Sequence, residues 1–141
     1  MSLSVPTRED QHMAIGAFAT AINCIDGRAQ APVADWIKIH CNVTFVDTVT
    51  VPGPDRFLVR GPEDRLAHIL EYVKVSLTAH NSHVIAIAGH HGCAANPVSR
   101  EEHLTDIREA ARRIVSWGLS VRVIGLWVNE WWQVELVSDS A

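Results

Sequence analysis

Apolar residues along the chain alternate between short continuous runs and longer stretches in which they recur every three or four positions, the marks of strands and helices respectively. The run Ala17-Phe18-Ala19-Thr20-Ala21-Ile22-Asn23 predicts a first buried strand ending at Cys24, although small residues leave its ends open and the pattern alone also suits a helix. After a Cys24–Arg28 loop, Pro32 can open a helix carrying Val33, Trp36 and Ile37. Residues 43–51 are rich in β-branched side chains and predict a second strand, stopped by Pro52-Gly53-Pro54. Gly61-Pro62 opens a helix with Leu66, Ile69, Leu70, Val73 and Leu77 on one stripe and Asn81 as its stop.

Val84-Ile85-Ala86-Ile87-Ala88 has the unbroken apolar character of a parallel strand covered on both faces, and it delivers Gly89-His90-His91-Gly92-Cys93 at its carboxyl end. Ser99 and Glu102 form a capping box for a helix whose expected inner face is Leu104, Ile107, Ala111, Ile114 and Val115, ending at Gly118. Residues 121–128 predict a fourth strand, Asn129-Glu130 a turn, and Trp131–Val137 a last strand. The alternation implies a single α/β domain with a mostly parallel β-sheet flanked by helices and an antiparallel C-terminal hairpin. Its expected bounds are 13–141, preceded by a polar arm over residues 1–12. Ligand sites in such sheets lie beyond the carboxyl ends of the strands where the winding reverses, so Cys24 and His90 with Cys93 meet if the first and third strands are neighbours.

Composition narrows the function. The 141 residues suffice for one core, and 48% apolar with 20% charged residues indicates a folded globular chain. A net charge of −4 without a basic block argues against nucleic acid, and no apolar stretch is long enough to cross a bilayer. Cysteines 24, 41 and 93 cannot all pair, and no signal peptide is visible, so a reduced, cytoplasmic setting is expected. There cysteines more often bind metal or react than form disulfides.

A His and a Cys three apart can reach one ion from a single turn, and Cys24 can supply a third ligand. Two thiolates and an imidazole suit Zn²⁺ and leave a fourth position open, the pattern of a catalytic site. H-x-x-C alone is a weak signal. C-x-D-x-R after one strand together with G-H-x-x-C after another is stronger, and with this pair of motifs the chain resembles the β-class carbonic anhydrases.

The resemblance covers about residues 15–137 and implies one Zn²⁺ per chain held by Cys24, His90 and Cys93, with Asp26 and Arg28 as a catalytic dyad. It implies a homodimer and the reversible hydration of CO₂ to bicarbonate by zinc-bound hydroxide. Arg28 can clamp Asp26 through a charge-assisted fork, and the ionised carboxylate can accept a hydrogen bond from the hydroxide and so fix its attacking lone pair. Asp26 can instead bind zinc itself and close the site, as in a resting form of the family. His91 is expected to be packed or solvated rather than a proton shuttle, Cys41 a small core residue, and Trp127, Trp131 and Trp132 core or interface residues. No special role is expected of His12, His68, His80, His83 or His103.

The chain departs from the family pattern at several points. Gly27 stands where Ser or Ala is usual, and Thr50-Val51-Pro52-Gly53 replaces an Arg-x-Ala-Gly-Asn-like segment. Only about a dozen residues precede the first strand, and none matches the family's active-site glutamine. These departures leave two alternatives: hydrolysis of carbonyl sulfide or carbon disulfide at the same site, and a non-catalytic zinc or anion-binding module.

Overall fold

A computed structural model describes residues 18–141; the polar arm expected over 1–12 and the apolar start at Met13 lie outside the described residues. The element order is β1 (Phe18–Asn23), α1 (Gly27–His40), β2 (Phe45–Thr50), α2 (Pro54–Arg60), α3 (Glu63–Ala79), β3 (Val84–His90), α4 (Arg100–Ser116), β4 (Arg122–Val128) and β5 (Val134–Asp139). The strands form one sheet in the order β2-β1-β3-β4-β5. All neighbours are parallel except β4 and β5, which close the sheet as an antiparallel pair. This is the α/β fold expected, with β1 beside β3 and the winding reversing between them.

Successive strand side chains point to opposite faces, and each face has its own core. Ala19, Ala21, Val84, Ala86, Ala88, Ile124, Leu126 and Val128 pack with Val33 and Ile37 of α1 on one side. Ile22, Ile85, Ile87 and Val123 pack with Leu58 of α2, Leu66, Ile69 and Val73 of α3, and Ala110, Ala111 and Ile114 of α4 on the other. Every residue of β3 is buried, which explains its unbroken apolar run.

The structure corrects three local expectations and adds one helix. Helix α1 starts at Gly27, not Pro32, because Asp26 caps it by accepting from the Arg28 backbone N–H at 3.0 Å; Pro32 then lies inside the helix. Helix α2 had no counterpart in the sequence reading, although Pro54 at its first turn, followed by Asp55, is a standard start signal. The buried face of α4 is turned toward the preceding residues: His103 and Asp106 are buried, whereas Leu104 is half-buried and Val115 exposed. The last strand begins at Val134, so Trp131 and Trp132 belong to the turn before it.

Candidate metal centre

Three separate pieces of backbone converge at the carboxyl ends of β1 and β3. Cys24 directly follows β1, and its loop is tied back by buried Asn23, whose side chain accepts from the Cys24 N–H (2.8 Å) and donates to the Ala29 carbonyl (3.1 Å). The Gln30 amide also donates to the Cys24 carbonyl. His90 is the last residue of β3, paired in register with Val128 of β4, rather than part of a loop. Cys93 follows a tight turn in which Gly92 takes a φ of 67°. The turn beyond it is held by Asn96, whose N–H donates to the Cys93 carbonyl and whose side chain donates to Asp106 Oδ2 at 3.1 Å.

The Cys24 and Cys93 sulfurs lie 4.0 Å apart, and one ligand atom from each of Cys24, His90 and Cys93 lies within 4.8 Å of the others. All three side chains are buried. His90 Nδ1 donates to the His91 carbonyl at 2.9 Å, so the proton sits on that nitrogen and Nε2 presents its lone pair to the cluster. That Nε2 is buried and has no hydrogen-bond partner. A buried, unpartnered imidazole nitrogen beside two thiols is costly unless something binds it. This donor set fits a tetrahedral thiolate–imidazole ion such as Zn²⁺, with one position left over.

Electrostatics point the same way. Hydrogen bonding from the Cys93 thiol, aided by the nearby His90 imidazole and the backbone at Asp26 and Gly53, outweighs burial and favours the Cys24 thiolate. The Cys24 thiolate and burial in turn push the Cys93 thiol up. Burial pulls the His90 imidazole down, but the adjacent Cys24 sulfur, the His91 carbonyl and the Asp26 carboxylate raise it overall. A cation bound beside the Cys24 thiolate would be stabilised by it.

Asp26 and Arg28 stand at the rim. Asp26 Oδ1 accepts from the Arg28 backbone N–H and from Nε (3.1 Å), and Oδ2 accepts from Nη2 at 2.7 Å. The hydrogen bond from the Arg28 side chain holds the carboxyl down at about 2. Asp26 Oδ2 lies 3.9 Å from His90 Nε2, so the carboxylate borders the cluster. His91 is exposed, and Cys41 is half-buried at the end of α1.

Two features here had drawn no functional expectation. Buried Asp55 and His103 join α2 to α4 immediately behind Gly89. His103 shares a helical stripe with Ile107, Ala110 and Ile114, a spacing that could have placed it inside. Trp132 lies against both Arg28 and His90, with ring distances of 4.7 and 6.2 Å; nothing in a turn sequence reveals a side chain folding back in this way. Trp127 is buried, as expected of a core residue, and Trp131 is exposed.

A protein-family model described as "Putative carbonic anhydrase" matches residues 14–138. No curated protein matches the chain. Among solved structures, the chain is similar to a β-carbonic anhydrase of Sordaria macrospora, one of two tetrameric enzymes, at 10% identity over 90% of this chain and 83% of that one, with a TM-score of 0.61. It is similar to β-carbonic anhydrase isoform I of Trichomonas vaginalis at 12% identity over 99% and 90% of the two chains, TM-score 0.57. The carbonic anhydrase of Glaciozyma antarctica aligns at 12% identity over 89% and 85%, TM-score 0.56. At such identities the likeness establishes a β-carbonic anhydrase fold.

Proposed function

The chain belongs to the carbonic anhydrase family whose model it matches, and from that premise we propose that it is a zinc-dependent enzyme hydrating CO₂ reversibly to bicarbonate. The observation that carries this reading is the convergence of Cys24, His90 and Cys93 on one buried point with an ionised Asp26 at its rim. These three residues would hold one zinc ion per chain. Bound there, zinc supplies a Lewis acid that lowers the pKa of a water to about 7, the value known for another class of carbonic anhydrase.

The chain's own residues do the rest. Asp26, held ionised by Arg28, is an acceptor at any working pH. A water donating to it is oriented with a lone pair free for the carbon of CO₂. Attack forms one C–O bond, opens one C=O π bond and releases one proton to solvent water and buffer, giving bicarbonate. Arg28 fixes the carboxylate's plane through its fork, and its own charge never titrates in this range. His90 keeps one tautomer because the His91 carbonyl fixes the proton on Nδ1.

Assembly as a homodimer belongs to the same proposal, supported by exposed apolar side chains such as Phe45 on edge strand β2, Tyr72 and Val75 on α3, and Ile39 on α1. A reducing, cytoplasmic location is supported by three free cysteines. No helix among the described residues is long and apolar enough to cross a membrane.

Stopped-flow CO₂ hydration on protein of verified zinc content, from about pH 6.5 to about pH 9, tests the proposal. Activity that rises with pH and vanishes in Cys93→Ala is expected. Stoichiometric zinc with no hydration anywhere in that range overturns the anhydrase reading, and carbonyl sulfide is then the substrate to try.

A further inference from the structure

We propose that Trp132 is a positioning residue whose indole holds Arg28, and through Arg28 keeps both oxygens of Asp26 engaged, so that the carboxylate does not swing onto the Cys24–His90–Cys93 cluster as a fourth ligand. The inference rests on reading that cluster as a metal centre.

Asp26 is poised between two partners. Its Oδ2 is 2.7 Å from Arg28 Nη2 and 3.9 Å from His90 Nε2, and a small side-chain rotation toward the cluster requires the fork to open. What keeps the fork closed is therefore decisive for whether the cluster has an open position. Arg28 is poorly placed to do this alone, because 60% of its side chain is exposed and water competes for its donors. Among the described residues, its guanidinium meets only the Asp26 carboxylate and the Trp132 ring, whose centroid lies 4.7 Å from Cζ. An indole face is the best aromatic partner for a guanidinium, and it restricts the group to one plane.

The fold goes to some length to deliver this ring. Val128 pairs with His90, so the turn that follows β4 stands directly beyond the end of β3. Within that turn Trp132 takes a φ of 59°, the left-handed region that a bulky residue rarely adopts. Asn129 maintains it. The Asn129 carbonyl accepts from the Trp132 N–H (2.9 Å), its side-chain Oδ1 accepts from the N–H groups of Trp131 and Gln133 (both 3.0 Å), and its Nδ2 donates to Glu135 Oε2 (3.2 Å). The two adjacent tryptophans meet different fates: Trp131 is 71% exposed, whereas Trp132 is half-buried and also lies 6.2 Å from the His90 ring. Asn42, Asn81 and Ser120 also take a positive φ, but their side chains are small and polar. Trp132 is the one aromatic residue among them, and its side chain reaches the site, the pattern of a held functional group.

The test replaces zinc by cobalt(II) and titrates azide into the native protein, Trp132→Leu, Trp132→Phe and the double variant Trp132→Leu/Asp26→Asn. Thiolate-to-cobalt charge-transfer bands report that the cysteines hold the metal, and the d–d bands report the fourth position. The native protein should bind azide. Trp132→Leu keeps an apolar side chain but no π-face, and should bind azide about tenfold more weakly. Trp132→Phe should recover most of the loss, and Asp26→Asn should restore azide binding in the Leu background.

Unchanged azide affinity in Trp132→Leu overturns the proposal, as does a loss that Asp26→Asn leaves in place, which marks a merely structural role. If Trp132→Leu does not fold, Trp132→Phe decides: a partial loss relieved by Asp26→Asn supports the proposal, and no loss rejects it. A native protein with thiolate bands but no azide response also rejects it. Absent thiolate bands in the native protein overturn the metal reading itself, and this inference with it.

Discussion

His103 Nδ1 lies 2.6 Å from Asp55 Oδ2, with each side chain only 1% exposed. The pair fastens the first turn of α2 to α4. Asp106, one turn further along α4, receives the Asn96 side chain at 3.1 Å and Arg60 at 3.2 Å. The same contacts brace the candidate metal centre, since Asn96, held by Asp106, directs its N–H at the Cys93 carbonyl. Removing one member leaves the other buried without its partner, at a cost of about 3 kcal/mol. Asp55→Ala should therefore lower the melting temperature by roughly 10 °C. A thermal melt of zinc-loaded protein checks this, and an unchanged midpoint would remove the pair from the structural account.

Gly89 is the seam between this pair and the site. A Cβ built there would come 2.7 Å from Asp55 Oδ2 and 2.9 Å from Ile107 Cδ1, and neither is the free end of a flexible surface chain. Gly89→Ala must push β3 or α2 aside at the residue before His90. The expected cost is about 2 kcal/mol of stability, accompanied by weaker zinc retention in competition with a chelator. Chelator resistance equal to that of the native protein would show that the strain is absorbed away from His90.

Much of this was legible in the chain because strong local signals agreed with the global fold. The apolar run of β3, the Ser99 cap of α4 and the breaker Pro52-Gly53-Pro54 each specify one structure. The two motifs also had to meet once β1 and β3 were neighbours, which the fold class dictates. What escaped has a physical reason. Polar residues such as Asp55, His103 and Asp106 enter a core only as partners, so the helical spacing that aligns His103 with Ile107 and Ile114 does not reveal their burial until the partner is placed. Pro32 was misleading because the Asp26 cap outweighed one lost helical hydrogen bond. Trp132 depends on a turn whose backbone is set by Asn129 and whose direction is set by the whole sheet.

Arg28 touches no member of the Cys24–His90–Cys93 cluster in its hydrogen bonds; its polar partner is Asp26. Its removal should therefore separate metal binding from turnover. Arg28→Ala is expected to retain stoichiometric zinc while CO₂ hydration falls about a hundredfold, the usual penalty for a misplaced reacting group. Zinc analysis beside stopped-flow rates checks both halves. Full turnover in the variant would withdraw Asp26–Arg28 from the mechanism and leave the metal centre standing.

Acid stability offers a test remote from the site. Arg122 at the start of β4 forks onto Asp139 at the end of β5, with Nε to Oδ1 at 3.0 Å and Nη2 to Oδ2 at 2.7 Å. This hydrogen bonding, aided by the Ala141 N–H, holds the Asp139 carboxyl at about 2 instead of its usual 3.8. Because the folded-state value is the lower one, the unfolded chain binds the extra proton as the medium is acidified. The stabilisation is thus complete above about pH 4 and lost as pH falls through about 2. With side chains 37% and 28% exposed, solvent screening reduces it to about 1 kcal/mol. Urea unfolding of native protein and Asp139→Asn should show that difference near pH 7, shrinking in acid and in high salt. A difference that persists unchanged at about pH 2 would mean that Asp139 acts through strand pairing rather than through its charge.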